Sequence, residues 1–412
     1  MFNSSIRREV PAQQIFQSNI SNNEGELISN APIRDYSMYI DPAQDEKALE
    51  NGDRLVHEIN KNIIADFEKN IDYCEKNGVD HPDRMVHVST FKILNGHVYM
   101  TYYANTSNDA EDPLFQEARL AFCPIDDPEQ MTIVTVQKAG ELLDGKLVDR
   151  VYDTILLHKD GDELYILWTA SVDGLYYRLY CTYNMKTMTL GAIRPNRFMV
   201  GDIVNDFSTT GISTALAANG LGHKDMFSDI GIMQKLTTRV EDNETWYYTG
   251  AYSGHLNCVI KSKDFITWKY VSEPDFINLS QWENATYVLG DLCFYFGRQF
   301  DCNQGFLTSL NLKTNQWSKP VLIRDTQSRS DFVFYHGKLL LIHAPIDREG
   351  FGIIDVNVND ISQSKPLAVV RMNDSFFYPY VDIIGSDAYI SYTVARKHIR
   401  LTKFHLPNYI DI

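Results

Sequence analysis

Five stretches of the chain share one pattern: a polar residue opens an alternating apolar strand, a glycine turn follows, and a second apolar strand returns. They are residues 87–103 (HVSTFKILNGHVYMTYY), 153–168 (DTILLHKDGDELYILW), 283–297 (ENATYVLGDLCFYFG), 331–344 (DFVFYHGKLLLIHA) and 378–393 (YPYVDIIGSDAYISYT). The turn glycines fall at 96, 161, 290, 337 and 385, and the last three are 47 and 48 residues apart, the period of one propeller blade. A lone hairpin of this kind leaves its apolar face uncovered, so copies must stack on one another.

The gap between Gly161 and Gly290 has room for one more unit, and residues 230–254 supply it, with Asp242 and Asn243 near the hairpin turn. Shorter outer strands follow the hairpins, as in ARLAFCPI then MTIVTV, and FGIIDVN then LAVVRM. The expected fold is an all-β, six-bladed β-propeller, with five blades as the alternative. The last unit has three strands, so a strand from the N-terminal region should complete it, leaving no open edge.

Residues 1–83 read as an N-terminal arm and helical extension, and residues 84–412 as the propeller. Apolar residues at helical spacing, Leu55, Ile59, Ile63 and Phe67, predict a helix over 48–78 packed on the ring. The small-residue segment 206–229 is either a lid or pocket wall, or an ordinary insertion between blades.

A net charge of −16 argues against nucleic acid and against an anionic membrane surface as partners. No apolar run of about 18 residues is present, so no transmembrane span is expected. The opening stretch MFNSSIRREVPAQQ lacks the apolar core of a signal peptide, which reads as cytoplasmic, or as secreted if a leader was removed. The six cysteines (74, 123, 181, 258, 293 and 302) contain no CxxC pair and read as buried free thiols. No metal and no cofactor is expected.

In an antiparallel hairpin the start of the first strand and the end of the second lie at the same end of the sheet. Each blade therefore sends two groups of residues to one face of the ring. Arg84, His87, Asp153, Glu283, Arg329, Asp331 and Tyr378 come from first-strand starts. Asn105 to Asp112, Tyr252, Arg298, Arg348 and Arg396 come from second-strand ends and the loops behind them. Charges crowded at the axis must pair with each other or receive a ligand. Arginine forks suit a carboxylate, so the expected ligand is an acidic sugar or an oligosaccharide carrying one.

Here a family resemblance enters. Residues 283–298 are similar to the glutamate, strand, glycine-turn, strand, arginine phrase of sialidases. Residues 339–356 (LLLIHAPIDREGFGIIDV) resemble their strand that ends in a small residue and proline before a triad arginine, and residues 376–393 resemble the phrase with the tyrosine nucleophile. The resemblance implies a retaining glycoside hydrolase with Tyr378 as nucleophile, Glu283 as its base, and Arg84, Arg298 and Arg348 holding the sugar carboxylate. Asp109, with Asp112 competing, would be the acid/base. A carboxylate-bearing anomeric centre repels a carboxylate nucleophile, which is why a tyrosine suits this chemistry. The chain departs from the family in DRMVH, where an arginine, isoleucine, proline phrase is usual, and in having no full Asp-box. Its nearest turn, Ser262 to Trp268, is closer to those of five-bladed arabinanase- and fructosidase-type glycosidases.

Several plainer readings stand beside these. Glu283 and Arg298 are equally a salt bridge between strand ends, and Tyr378 an aromatic packing near the channel. Arg329 either replaces Arg348 in the triad or pairs with Asp331 or Asp325. His87 and Asp153 either hold sugar hydroxyls or are satisfied core polar groups. Asp153, Glu283 and Asp331 would serve a glycosidase of neutral sugars, a tyrosine and histidine pair would serve a uronate lyase, and a non-catalytic propeller would bind glycan or protein through the same face.

Overall fold

The computed structural model describes residues 33, 36–68, 75, 83–222, 230–233, 235–253, 256–274, 281–299, 304–345, 347–372 and 375–410. Their strands form an all-β propeller of six sheets. The inner strands, in chain order, are Met85–Leu94, Lys146–His158, the broken pair Ile230–Ile232 and Thr237–Glu241, Gln281–Leu289, Gln327–Tyr335 and Phe377–Ile384. Each hairpin turns where the pattern indicated. At the first, Asn95 and Gly96 take φ of 51° and 77°, the left-handed pair that matches strand twist.

Six apolar clusters fill the spaces between neighbouring sheets and close the ring. Val86, Phe91 and Met100 of the first sheet meet Tyr380, Ile399 and Leu401 of the sixth. Leu120 and Ala118 meet Ile166 and Trp168 of the second sheet on the other side. The fifth and sixth sheets share the cluster of Leu340, Ile342, Ile390 and Tyr392.

The N-terminal segment contributes twice to the ring. Ile63–Glu68 pairs antiparallel with His398–His405 and supplies the fourth strand of the sixth sheet, as the three-strand last unit required. Tyr39–Ile40 adds a parallel edge beside Val321–Arg324. The helix differs from the expectation: α1 spans Glu46–Lys61, and Ile63 and Phe67 belong to the strand. Asp45 caps its start by accepting from Ala48 N at 2.9 Å. After Asn62 the β-branched pair Ile63 and Ile64 gains more from the open sheet edge than from another helical turn. Residues 69–74 and 76–78 of that expected helix lie outside the described residues. α1 buries Leu55 and Ile59 against the fifth and sixth sheets.

Within 206–229, α2 (Thr209–Ala218) seats Ile212, Ala215 and Leu216 in the cluster between the second and third sheets, so this part is packing; residues 223–229 lie outside the described residues. Cys123, Cys181, Cys258 and Cys293 are buried free thiols, and Cys74 and Cys302 are not among the described residues. No described helix is long and apolar enough to cross a membrane.

Candidate active site at the axial face

The inner strands bulge at one level of the ring. Their pairing slips between His87 and Thr90, Tyr152 and Ile155, Gln281 and Asn284, Gln327 and Asp331, and Phe377 and Tyr380. Val88, Asp153, Ser328 and Tyr378 take φ between 52° and 67° there. An extra residue in a strand re-aims its side chains, and left-handed backbone at a β-branched or aromatic residue is strained, a feature that gathers at functional sites. Nothing in the alternation of apolar residues announces these bulges.

The bulges bring His87, Asp153, Glu283, Arg298, Arg329, Arg348 and Tyr378 into one electrostatic cluster. His87 is fully buried, and its Nδ1 lies 3.1 Å from Thr393 Oγ1. The rings of Tyr378 and Tyr103 both stand against it, at 4.6 and 5.7 Å between centroids. Burial drives the imidazole well below its usual pKa, and Arg396, Arg348 and Arg329 push the same way, so His87 is neutral. The Arg329 guanidinium lies 5.3 Å from the centre of the Tyr378 ring. Burial raises the Tyr378 pKa, the Glu283 charge raises it further, and Arg298 and Arg348 pull it down.

Glu283 is held by Arg298, whose Nη1 donates to Oε2 at 2.7 Å, and lies 3.8 Å from Arg329 Nη2. Asp153 accepts from Arg329 Nη2 at 2.5 Å, from Tyr252 Oη at 3.2 Å and from Arg178 Nη1 at 3.3 Å. Burial works against the Arg329 charge, but Asp153, Tyr252 and Glu283 outweigh it. Arg178, fully buried and opening no inner strand, was not singled out by the sequence pattern; it also donates to Thr169 Oγ1 at 3.0 Å.

Other expected residues stand elsewhere. Asp331 lies deeper in the ring, accepting from Val381 N and Phe332 N at 2.9 Å each and lying 3.3 Å from Lys235 Nζ. Arg329 thus pairs with Asp153, not with Asp331 or Asp325; Asp325 takes Arg371 at 2.7 Å. Arg84 and Asp109 form a 3.3 Å pair with each about half exposed. Asp112 accepts from Leu114 N and caps the turn Pro113–Phe115. From the same loop Glu111 reaches inward, accepting from Tyr103 Oη at 2.5 Å and pairing with Arg396 at 2.9 Å. The described residues contain no group of histidines, cysteines and carboxylates that would hold a metal.

No family model and no curated protein sequence matches the chain. Among solved structures, Trypanosoma rangeli sialidase matches with a TM-score of 0.50 at 13% identity, over 79% of this chain and 55% of that one. The fold is sialidase-like. The same sialidase in complex with sialic acid matches at a TM-score of 0.49 and 13% identity, over 79% and 55% of the two chains. A glycosyl hydrolase from Bacteroides ovatus matches at 0.41 and 11%, over 79% and 85%. The sialidase-like fold thus spans about half the length of the trypanosomal protein, and at these identities the likeness is one of fold.

Proposed function

We propose that the protein is a retaining glycoside hydrolase that releases a terminal sugar bearing a carboxylate. The observation that carries this reading is the convergence of Arg298, Arg329, Arg348 and Arg396 on the partly buried Tyr378 and the buried His87, in a chain of net charge −16. Guanidinium forks recognise a carboxylate by paired hydrogen bonds. Burial and the Glu283 charge keep the Tyr378 hydroxyl protonated, so its oxygen attacks the anomeric carbon only as a base removes the proton, and Glu283 is the base at hand. Arg298 holds that carboxylate in place. As the tyrosyl–sugar bond forms, the glycosidic oxygen leaves with a proton from a carboxylate of the 105–112 loop, for which the sequence pointed to Asp109. Water then attacks the same carbon, the loop carboxylate takes its proton, and Tyr378 recovers its own from Glu283.

A second reading rests on the neutral His87 against Tyr378: a uronate neutralised by the arginines loses its α-proton to one member of this pair, and the glycosidic bond breaks by elimination as the other protonates the leaving oxygen. Both are tested by incubating the protein with fluorogenic glycosides of sialic acid, related keto-deoxy sugars and glucuronic acid, and with uronate polysaccharides. Fluorophore release from a keto-acid sugar, lost in Tyr378→Phe, supports the hydrolase. An unsaturated product absorbing in the ultraviolet from a uronate moves the reading to the lyase, and no turnover leaves a binding propeller.

A further inference from the structure

We propose that Glu111, and not Asp109, is the carboxylate that carries the leaving-group proton, with Tyr103 and Arg396 as its positioning residues. This rests on the hydrolase reading and settles which residue of the loop serves it. Buried Asn105 fixes the loop: its Oδ1 accepts from Ser107 N at 2.8 Å and Asn108 N at 3.1 Å, and its Nδ2 donates to Ala110 O at 2.8 Å. The chain so held brings Glu111 to Tyr103 and Arg396 while Asp109 pairs with Arg84.

Glu111 accepts from Tyr103 and pairs with Arg396, Glu283 pairs with Arg298 and its charge acts on Tyr378, and His87 lies between the two tyrosines. Tyr103 is buried and Glu111 partly exposed, so the carboxylate is the member a substrate reaches. The Glu111 charge also acts on Tyr378, across the His87 ring that stands between Tyr103 and Tyr378. The reaction starts from the Glu111 carboxylic acid, with the incoming sugar carboxylate taking its place on Arg396. In the first step that proton passes to the glycosidic oxygen as its bond to the anomeric carbon breaks. In the second, Glu111 takes a proton from the water whose oxygen bonds to that carbon while the Tyr378 oxygen leaves with the electron pair.

The test compares Glu111→Gln and Asp109→Asn on one keto-acid sugar linked either to an aryl alcohol or to a second sugar. An aryl alcohol leaves without a proton, so Glu111→Gln should lose about 100-fold or more on the sugar-linked substrate, far less in the burst step on the aryl one, and regain aryl turnover with azide. Asp109→Asn should stay near wild type on both. Tyr103→Phe, which keeps the ring and removes the hydrogen bond to the carboxylate, should move the alkaline limb of the kcat profile to higher pH. The proposal is overturned if Asp109→Asn shows the leaving-group pattern and Glu111→Gln does not, while wild type hydrolyses both. A wild type that hydrolyses neither overturns the hydrolase reading as well.

Discussion

The ring of His87 stands edge-on to that of Tyr378, with centroids 4.6 Å apart and planes at 77°. His87 comes from the first sheet and Tyr378 from the sixth, so this contact spans the closure of the ring at the site itself. A buried neutral imidazole here orients the tyrosine without adding charge. His87→Gln is therefore expected to lower kcat about 10-fold in hydrolysis, below the range for loss of a general acid or base. Loss of all turnover, measured on the substrate found to be cleaved, would make His87 a proton-transfer group.

The placing of α1 depends on a glycine. A Cβ at Gly52 would lie 1.7 Å from the Val369 carbonyl oxygen on the outer strand of the fifth sheet. Alanine would favour an isolated helix by about 1 kcal/mol. Backbone on backbone cannot give way, so Gly52→Ala is expected to destabilise the protein by about 2–4 kcal/mol in urea unfolding, through overpacking.

Asp331 and Lys235 bind three sheets together across the ring. Lys235, of the third sheet, donates to Val381 O of the sixth and lies 4.5 Å from the centre of the Tyr380 ring, with Asp331 of the fifth sheet 3.3 Å away. Asp331→Asn leaves the buried ammonium without its counter-charge and is expected to cost about 3–5 kcal/mol. Adding Lys235→Met should recover part of that loss in a double-mutant cycle.

His343 gives the fold an acid sensitivity. Burial pushes its pKa down from 6.5 to about 4. The unfolded chain therefore takes up this proton first, and the stability it carries is lost as pH falls from about 6.5 to 4, to a limit of about 3 kcal/mol. Burial raises Asp83 and Asp331 to about 6, so their contribution runs the other way, growing as pH falls from about 6 to 4. His343→Gln shares both carboxylates, so the difference in unfolding free energy between variant and wild type isolates the histidine; it should narrow on acidification.

Much of the architecture was legible because hairpin period and turn glycines are local properties of the chain. The sheet-completing strand Ile63–Glu68 was implied by a missing partner, yet hidden by a spacing that also suits a helix. The tyrosine, the glutamate and the four arginines could be named because the starts of first strands and the ends of second strands converge by geometry. Asp331 could not be separated from Asp153 in this way, since whether a polar residue lies at the bulge or a few residues beyond it depends on pairing between strands. Arg178 depends on a contact across the strands of its own sheet and the Tyr103–Glu111 pair on a loop meeting a strand, which no periodicity records.

In the proposed reaction Tyr378 forms the bond to the sugar. Wild-type protein should be mixed with a fluorinated keto-acid sugar whose leaving group departs readily and whose glycosyl-enzyme hydrolyses slowly, then digested and analysed by mass spectrometry. One sugar is expected on the peptide containing Tyr378, and none in Tyr378→Phe. A sugar attached instead to Glu283, Asp153 or Glu111, or full turnover by Tyr378→Phe, would contradict it.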